Sequence, residues 1–369
     1  MNQVNAALAA GTWTGIPYLY SWGRNNGGQL GLGNTTNYSS PKQVGALTTW
    51  SKLGAGDAHS VVIKTDGTLW TWGNNYFGQL GLGDTTDRNS PVQVGALTTW
   101  SSIAGGTNFT VAIKTDGTFW AWGAGGNGRL GLGNTTNYSS PKQVGALTNW
   151  LTVACSTYST MVIKTDGTLW TWGFNASGQL GLGNITAYSS PKQVGALTTW
   201  YKVAGDSNFT IATTTGGTLY AWGGNGSGQL GLGNLTYRSS PVQVGALTTW
   251  LNIAGGAYFT LATKTDGTLW SWGDNSKGQL GLGNTTGYSS PKQVGALTTW
   301  LNIAGGGYAG YFSVATKTDG TLWTWGRGTF GVLGLGNTTY YSSPKQVGAL
   351  TTWSTIASGA YFTLAIATT

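Results

Sequence analysis

Few residues in this chain could carry chemistry. His59 is the single histidine and Cys155 the single cysteine among 369 residues, and glutamate is absent. A serine–histidine–aspartate relay would have to be built on His59, with Asp57 two positions away. A histidine-rich metal centre, or a structural zinc site of several cysteines and histidines, cannot be assembled from one of each. Of the ten acids, Asp66, Asp116, Asp166, Asp266 and Asp319 recur at one position, each followed by glycine, which marks a turn rather than a catalytic pair. The stretch "TWGNNYFGQLGLGDTT", residues 71 to 86, has the glycine density of a phosphate loop. Such loops work through a helix N-terminus, and no helical pattern follows this one. No catalytic residue, metal or cofactor is expected.

The elements that must position these residues are set by repetition. Trp-Gly occurs at Trp22, Trp72, Trp122, Trp172, Trp222, Trp272 and Trp325, spaced by 50 residues five times and by 53 once. A second column runs through Trp50, Trp100, Trp150, Trp200, Trp250, Trp300 and Trp353. A period near 50 without amphipathic helical runs predicts four short strands per unit, the blade of a propeller. His59 then aligns with Phe109, Ser159, Phe209, Phe259, Phe312 and Phe362, a packing position at the start of a strand.

Within one unit, "WSSIAG" (100–105) predicts an inner strand and "FTVAIKT" a second, through its alternation of Phe109, Val111 and Ile113 with Thr110, Ala112 and Lys114. Asp116-Gly117 predicts a two-residue type I′ turn, "TFWAW" a third strand, and Pro141 the start of an outer edge strand. The C-terminal "WSTIASGAYFTLAIATT" supplies only a first and second strand, and "GIPYLYSWG" with "SPKQV" (40–44) a third and fourth. The expectation is an all-β, seven-bladed propeller with four antiparallel strands per blade. Two strands from each terminus close the ring, which removes the open edges. Residues 1–15 form an N-terminal arm and 16–369 a single domain.

The net charge of +8 does not imply nucleic-acid binding. Lys42, Lys142, Lys192, Lys292 and Lys345 share one repeat position, and Lys64, Lys114, Lys164, Lys264 and Lys317 another, so the charge is spread around the ring as solvated lysines. No apolar run of about 18 residues predicts a membrane span. No basic, signal-like N-terminal segment is evident. The compartment is not set by these features; low charge and a Gly/Asn/Thr/Ser-rich surface favour a virion, tail or extracellular setting.

The pattern "KTDGTLWTWGxNxxGQLGLGNTT…SPxQVG" over residues 16–369 resembles the repeat of the regulator of chromosome condensation family. That resemblance implies seven-bladed propellers that bind macromolecules on one face. Its members include a guanine-nucleotide exchange factor, ubiquitin-ligase modules, a plant ultraviolet receptor and secreted β-lactamase inhibitors. The Gly-Trp-Arg-His-Thr motif of the photoreceptor is absent here, and regular placement makes the tryptophans packing residues.

The copies differ mainly in two loops, between the first and second strands and between the third and fourth. In an up-and-down blade both emerge on one face, where loops carry function. The departures concentrate in the sixth blade (300–348), the closing seventh and the first (50–95). The sixth holds Tyr308 and Tyr311 in a three-residue expansion, then Arg327, Phe330, Tyr340 and Tyr341, with Val332 in place of glutamine. The seventh adds Arg24 and Tyr361, and the first Asp57, Tyr76, Phe77 and Arg88. Clustered Tyr, Phe and Arg have the composition of a binding hot spot. The expected function is non-enzymatic recognition of a protein or cell-surface partner, as in adhesion. A glycan-binding propeller and an exchange-factor or inhibitor-type protein are the alternatives. Changes across the ring at Asn225 or Asn275 are expected to do little.

Overall fold

A computed structural model describes residues 15–368; the N-terminal arm, apart from Gly15, lies outside the described residues. Among them, twenty-eight strands form seven four-stranded antiparallel sheets arranged as blades. The second blade is representative: Trp100–Gly106 lies innermost, then Phe109–Lys114, Phe119–Gly123 and, outermost, Tyr138–Gln143. The seventh blade is shared by the two ends. Pro17–Gly23 pairs with Phe362–Thr368 without interruption, from Pro17 opposite Thr368 to Gly23 opposite Phe362. Tyr38–Thr48 and Trp353–Ser358 flank that pair.

Each second strand is sandwiched between neighbouring blades, so Phe109 to Ile113 is buried on both faces. The bond that joins blades comes from the Trp-Gly column. Trp72 Nε1 donates to the Gln29 carbonyl at 2.9 Å, and Ser60 Oγ donates to the same oxygen at 2.8 Å. Trp122 and Thr110 repeat this on Gln79, and Trp22 and Thr363 on Val332. A carbonyl offers two lone pairs, and both are used. Because the acceptor is backbone, glutamine can give way to Arg129 or Val332 without loss of the joint. Trp72 and Trp122 are fully buried. At roughly 200 Å² each, that burial is worth about 5 kcal/mol per indole as an upper estimate.

Three sequence expectations are corrected. The Asp-Gly hairpins are not type I′, because only the glycine has positive φ: Gly117 at 75°, with Asp116 outside that region. Gly117 N donates to Lys114 O at 2.9 Å and Lys114 N to Thr118 O at 3.0 Å, the pattern of a three-residue loop ending in a left-handed glycine. Asp116 Oδ1 earns its place by accepting from Thr118 N and Oγ1 at 2.9 and 2.7 Å. Next, the outer strand begins at Tyr138, so Pro141 sits inside it, within the stretch where pairing to the third strand lapses. Last, one lysine column is not freely solvated. Lys164 is 5% exposed, and its Nζ stands 3.9 Å from the Trp170 ring centre. The stem lies along apolar surface and the ammonium takes a cation–π contact.

Candidate functional site

The two variable loops of each blade meet on one face. Arg24 N donates to Tyr361 O at 2.9 Å, Asn74 N to Ala58 O at 2.9 Å and Arg327 N to Tyr311 O at 2.7 Å, each joining a third-to-fourth loop to a first-to-second loop. The uniform connections are tied together at the opposite ends of the strands, as where Trp100 N donates to Gly67 O at 3.2 Å. At those ends the leucines of the "GALTTW" segments, Leu47 to Leu350, form a ring 40–49% exposed.

Most third-to-fourth loops are held by one asparagine and one glutamine. Asn75 Oδ1 accepts from Leu80 N at 2.9 Å, and Gln79 Oε1 accepts from Phe77 N at 2.9 Å. The second and sixth blades lack both, carrying Gly125 with Arg129 and Gly328 with Val332. There the loop makes a short 3-10 turn, Gly126–Gly128 or Thr329–Gly331, and its middle residue turns left-handed: Asn127 at φ 60° and Phe330 at φ 63°. A phenylalanine in that region is strained, which occurs where the surroundings over-determine a side-chain position.

Phe330 uses that geometry to reach the seventh blade. Its ring meets Tyr361 edge-on at 5.5 Å, Arg24 lies over both rings at 5.4 and 5.8 Å, and Arg327 lies over Tyr361 at 5.4 Å. Arg327 also donates through Nε to Thr329 Oγ1 at 3.0 Å, and Thr329 shares a 2.8 Å hydrogen bond with the Tyr340 hydroxyl. Neither guanidinium has an acidic partner among the described residues. Tyr340 is 44% exposed at the edge of this cluster, and the Thr329 contact lowers its phenol. Tyr311 stacks on Tyr258 of the fifth blade at 6.3 Å, and burial raises both phenols.

The other anticipated residues lie apart from that cluster. Tyr76, 72% exposed, and Phe77 pair with each other at 4.8 Å on a loop that leans over the second blade, where Gly78 abuts Ser139. Arg88 is bound to Asp84 at 2.6 Å. Tyr341 opposes Gly326 at the register where Tyr138 opposes Gly123, so it belongs to the repeated scaffold. The far-side positions Asn225 and Asn275 are fully buried loop organisers bonded to Leu230 N and Leu280 N, so changes there would damage the fold.

His59 is fully buried, with Nε2 2.9 Å from Thr110 Oγ1, and burial lowers it to about 4. It is therefore neutral and sealed from any substrate. Burial pushes the Cys155 thiol up, so it stays protonated near neutral pH.

Asp57 stands instead at the axis, where the inner strands of all seven blades converge on a pit of about 130 Å³. Its Oδ2 accepts from Thr107 Oγ1 at 3.0 Å, Thr107 N donates to Thr157 O at 3.3 Å, and Thr157 Oγ1 donates to Asp206 Oδ1 at 3.2 Å. Asp206 was missed because it falls one position out of register with Asp57. The sequence-level signal was that it, like Asp57, is an acid outside the hairpin column.

Comparison with known proteins agrees with this architecture. The family described as "Regulator of chromosome condensation (RCC1) repeat" matches residues 18–63, 66–113, 116–163, 166–213, 216–263, 266–312 and 319–366, and a second form of the repeat matches 50–79, 151–179 and 250–279. Human WBSCR16 is similar in structure, with a TM-score of 0.85 and 19% identity over 96% of this chain and 99% of that one. Yeast RCC1 (Prp20), crystallised bound to Kap60, gives 0.84 and 19% over 96% and 89%. Prp20p from Saccharomyces cerevisiae, studied for binding to Gsp1p and histones, gives 0.84 and 19% over 96% and 92%. At that identity the likeness concerns the fold. No curated protein matches the chain in sequence.

Proposed function

Since the chain belongs to the regulator of chromosome condensation repeat family, matched in every blade, we propose that it is a non-enzymatic propeller that recognises a protein partner through its variable-loop face. The observation that carries this reading is the seam between the sixth and seventh blades, where Arg24 and Arg327 lie over Phe330 and Tyr361 with no ion-paired carboxylate among the described residues. Guanidiniums already oriented by aromatic faces are prepared for a carboxylate or phosphate on an incoming surface. Tyr340, 44% exposed and hydrogen-bonded to Thr329, supplies adjoining amphipathic area. The partner surface is accordingly acidic. The low charge and Gly/Asn/Thr/Ser-rich surface support an adhesion role on a virion or outside the cell.

The test is capture of binding partners by the wild-type protein, followed by affinity measurements on variants. Arg327→Ala, Phe330→Ala and Tyr340→Ala should each weaken binding by about 1–3 kcal/mol. Tyr237→Ala, an exposed aromatic of the fourth blade, should leave affinity unchanged. Equal losses at Tyr237 would remove the seam as the site. Retention on a glycan array, with no protein captured, would replace the protein reading by the lectin one.

A further inference from the structure

We propose that the cleft between the fifth and sixth blades binds a small amphipathic carboxylate, with its acid group on the Lys317 ammonium and its apolar body against Trp300 and Trp323. The cleft has a volume of about 390 Å³, the size of a small-molecule site. Its walls are mostly apolar. Leu282, Val294 and Leu297 come from the fifth blade and the connection that leaves it, and Trp300, Trp323 and Pro344 from the sixth.

Lys317 is the charged side chain in that wall. It is only 7% exposed, and its Nζ stands 3.7 Å from the Trp323 ring centre and 5.0 Å from that of Trp300. Beyond those two rings the ammonium has no ion pair and no hydrogen bond among the described residues. Asp319 acts on it only at a distance, because Asp319 Oδ1 is taken by Thr321 N and Oγ1 at 2.9 and 2.6 Å. The ammonium is not sealed either. The Trp300 indole N–H is buried without a partner, whereas Lys317 Nζ keeps contact with solvent in the cleft. A cation with three donors, largely stripped of water and without a carboxylate, gains more from an incoming anion than a surface lysine does.

The wall chemistry selects the ligand. Gln293 and Ser343 are the other polar side chains of the cleft, too few for a sugar, whose remaining hydroxyls would lie unpaired against apolar walls. A bare inorganic anion would leave those walls uncovered, and a neutral apolar molecule would leave the ammonium unpaired. A carboxylate joined to an aryl or branched alkyl body satisfies both. The cleft recurs between the first and second blades at about 600 Å³, with Lys114 Nζ 3.7 Å from the Trp120 ring centre, but Lys114 is more exposed than Lys317. In the fourth blade Thr214 and Tyr220 stand where Lys317 and Trp323 do, so that position offers no ammonium. Leu297 belongs to the exposed leucine ring, on the side away from the Arg24–Arg327 seam, so this site does not rest on the protein-partner reading.

The test is photolabelling of the whole chain with a trifluoromethyl-diazirine benzoate and, in parallel, with the matching neutral benzyl alcohol, the labelled residues being located by mass spectrometry. The benzoate should label residues 281–300 and 317–323 at least about tenfold more than the alcohol does, the factor that one charge-assisted hydrogen bond supplies. It should leave the fourth-blade segment around Thr214 and Tyr220 unlabelled. Lys317→Met, which keeps the stem and removes the charge, should lose that labelling by a similar factor, while any label around Lys114 and Trp120 stays. Equal labelling by acid and alcohol, no labelling of the cleft by the acid, or undiminished labelling of Lys317→Met would each overturn the site. Should Lys317→Met fail to fold, the ratio of acid to alcohol on the wild type decides alone.

Discussion

His59 Nε2 lies 2.9 Å from Thr110 Oγ1, and that hydroxyl already donates its proton to the Gln79 carbonyl at 2.7 Å. The imidazole must therefore be the donor, with its proton on Nε2. Nδ1 is left buried with no partner, close to where Gly56 would carry a Cβ. Protonating Nδ1 would create a buried donor with nothing to receive it, which is why the ring stays neutral.

The first prediction follows from that geometry. His59→Phe places at this position the residue that Phe109, Phe209, Phe259, Phe312 and Phe362 already supply in other blades. Thr110 keeps its bond to Gln79, so stability near pH 7.5 should change by less than about 1 kcal/mol. The pH response should differ. His59 titrates near 4 when folded against 6.5 for the free side chain, so between those values the unfolded chain binds more protons. Wild type thus holds this contribution fully above about pH 6.5 and loses it as pH falls toward 4, by on the order of 2–3 kcal/mol. The variant should gain on wild type over that window in denaturant unfolding. A constant difference between the two at pH 7.5 and pH 4.5 would contradict a buried, neutral His59.

The glycine-rich loop makes a second prediction. At Gly31, with φ at 71°, a Cβ would stand 2.7 Å from Trp72 Nε1, the atom that binds the Gln29 carbonyl. Gly45 has φ at 57° and nothing within 4 Å. Gly45→Ala should cost about 1–2 kcal/mol, the left-handed penalty alone. Gly31→Ala adds an overpacking and hydrogen-bond loss of about 1–3 kcal/mol, because the blade joint must shift. Urea unfolding of the two variants gives the comparison. Equal losses would mean that the loop does not act through the tryptophan.

The ring and its closure were legible because the period, the Trp-Gly column and the unequal termini are one-dimensional facts. The hairpin type was not, since Asp116 works through a side-chain bond to Thr118 rather than through its own φ. The left-handed turn at Phe330 was half legible. Loss of the organising asparagine and glutamine is visible in both the second and sixth blades, but that it swings Phe330 onto Tyr361 is a three-dimensional outcome. Tyr341 misled because its neighbour Tyr340 stands at a position that varies between blades, while Tyr341 itself follows the column of Tyr138 and Tyr288. Asp57 and Asp206 are remote in sequence, and only convergence of the inner strands on the axis brings them to one pit.

The closure gives the last prediction. Deleting residues 353–369 removes the two inner strands of the seventh blade and leaves Pro17–Gly23 with one unpaired edge. Leu19 and Trp22, both fully buried, then lose Leu364, Ile366 and Phe362 on one side and Trp353 and Ala365 on the other. Val332 O loses the Thr363 hydroxyl, and the third-to-fourth loop of the sixth blade loses Tyr361 as its support. An open hydrophobic edge invites pairing with another chain, so the truncated protein should aggregate or melt without a cooperative transition. Phe362→Ala tests the same joint more gently, by emptying one fully buried ring at a cost of about 3–5 kcal/mol with the strand still present. A truncated chain that stays monomeric and keeps the wild-type melting transition would mean that the ring does not depend on its terminal strands.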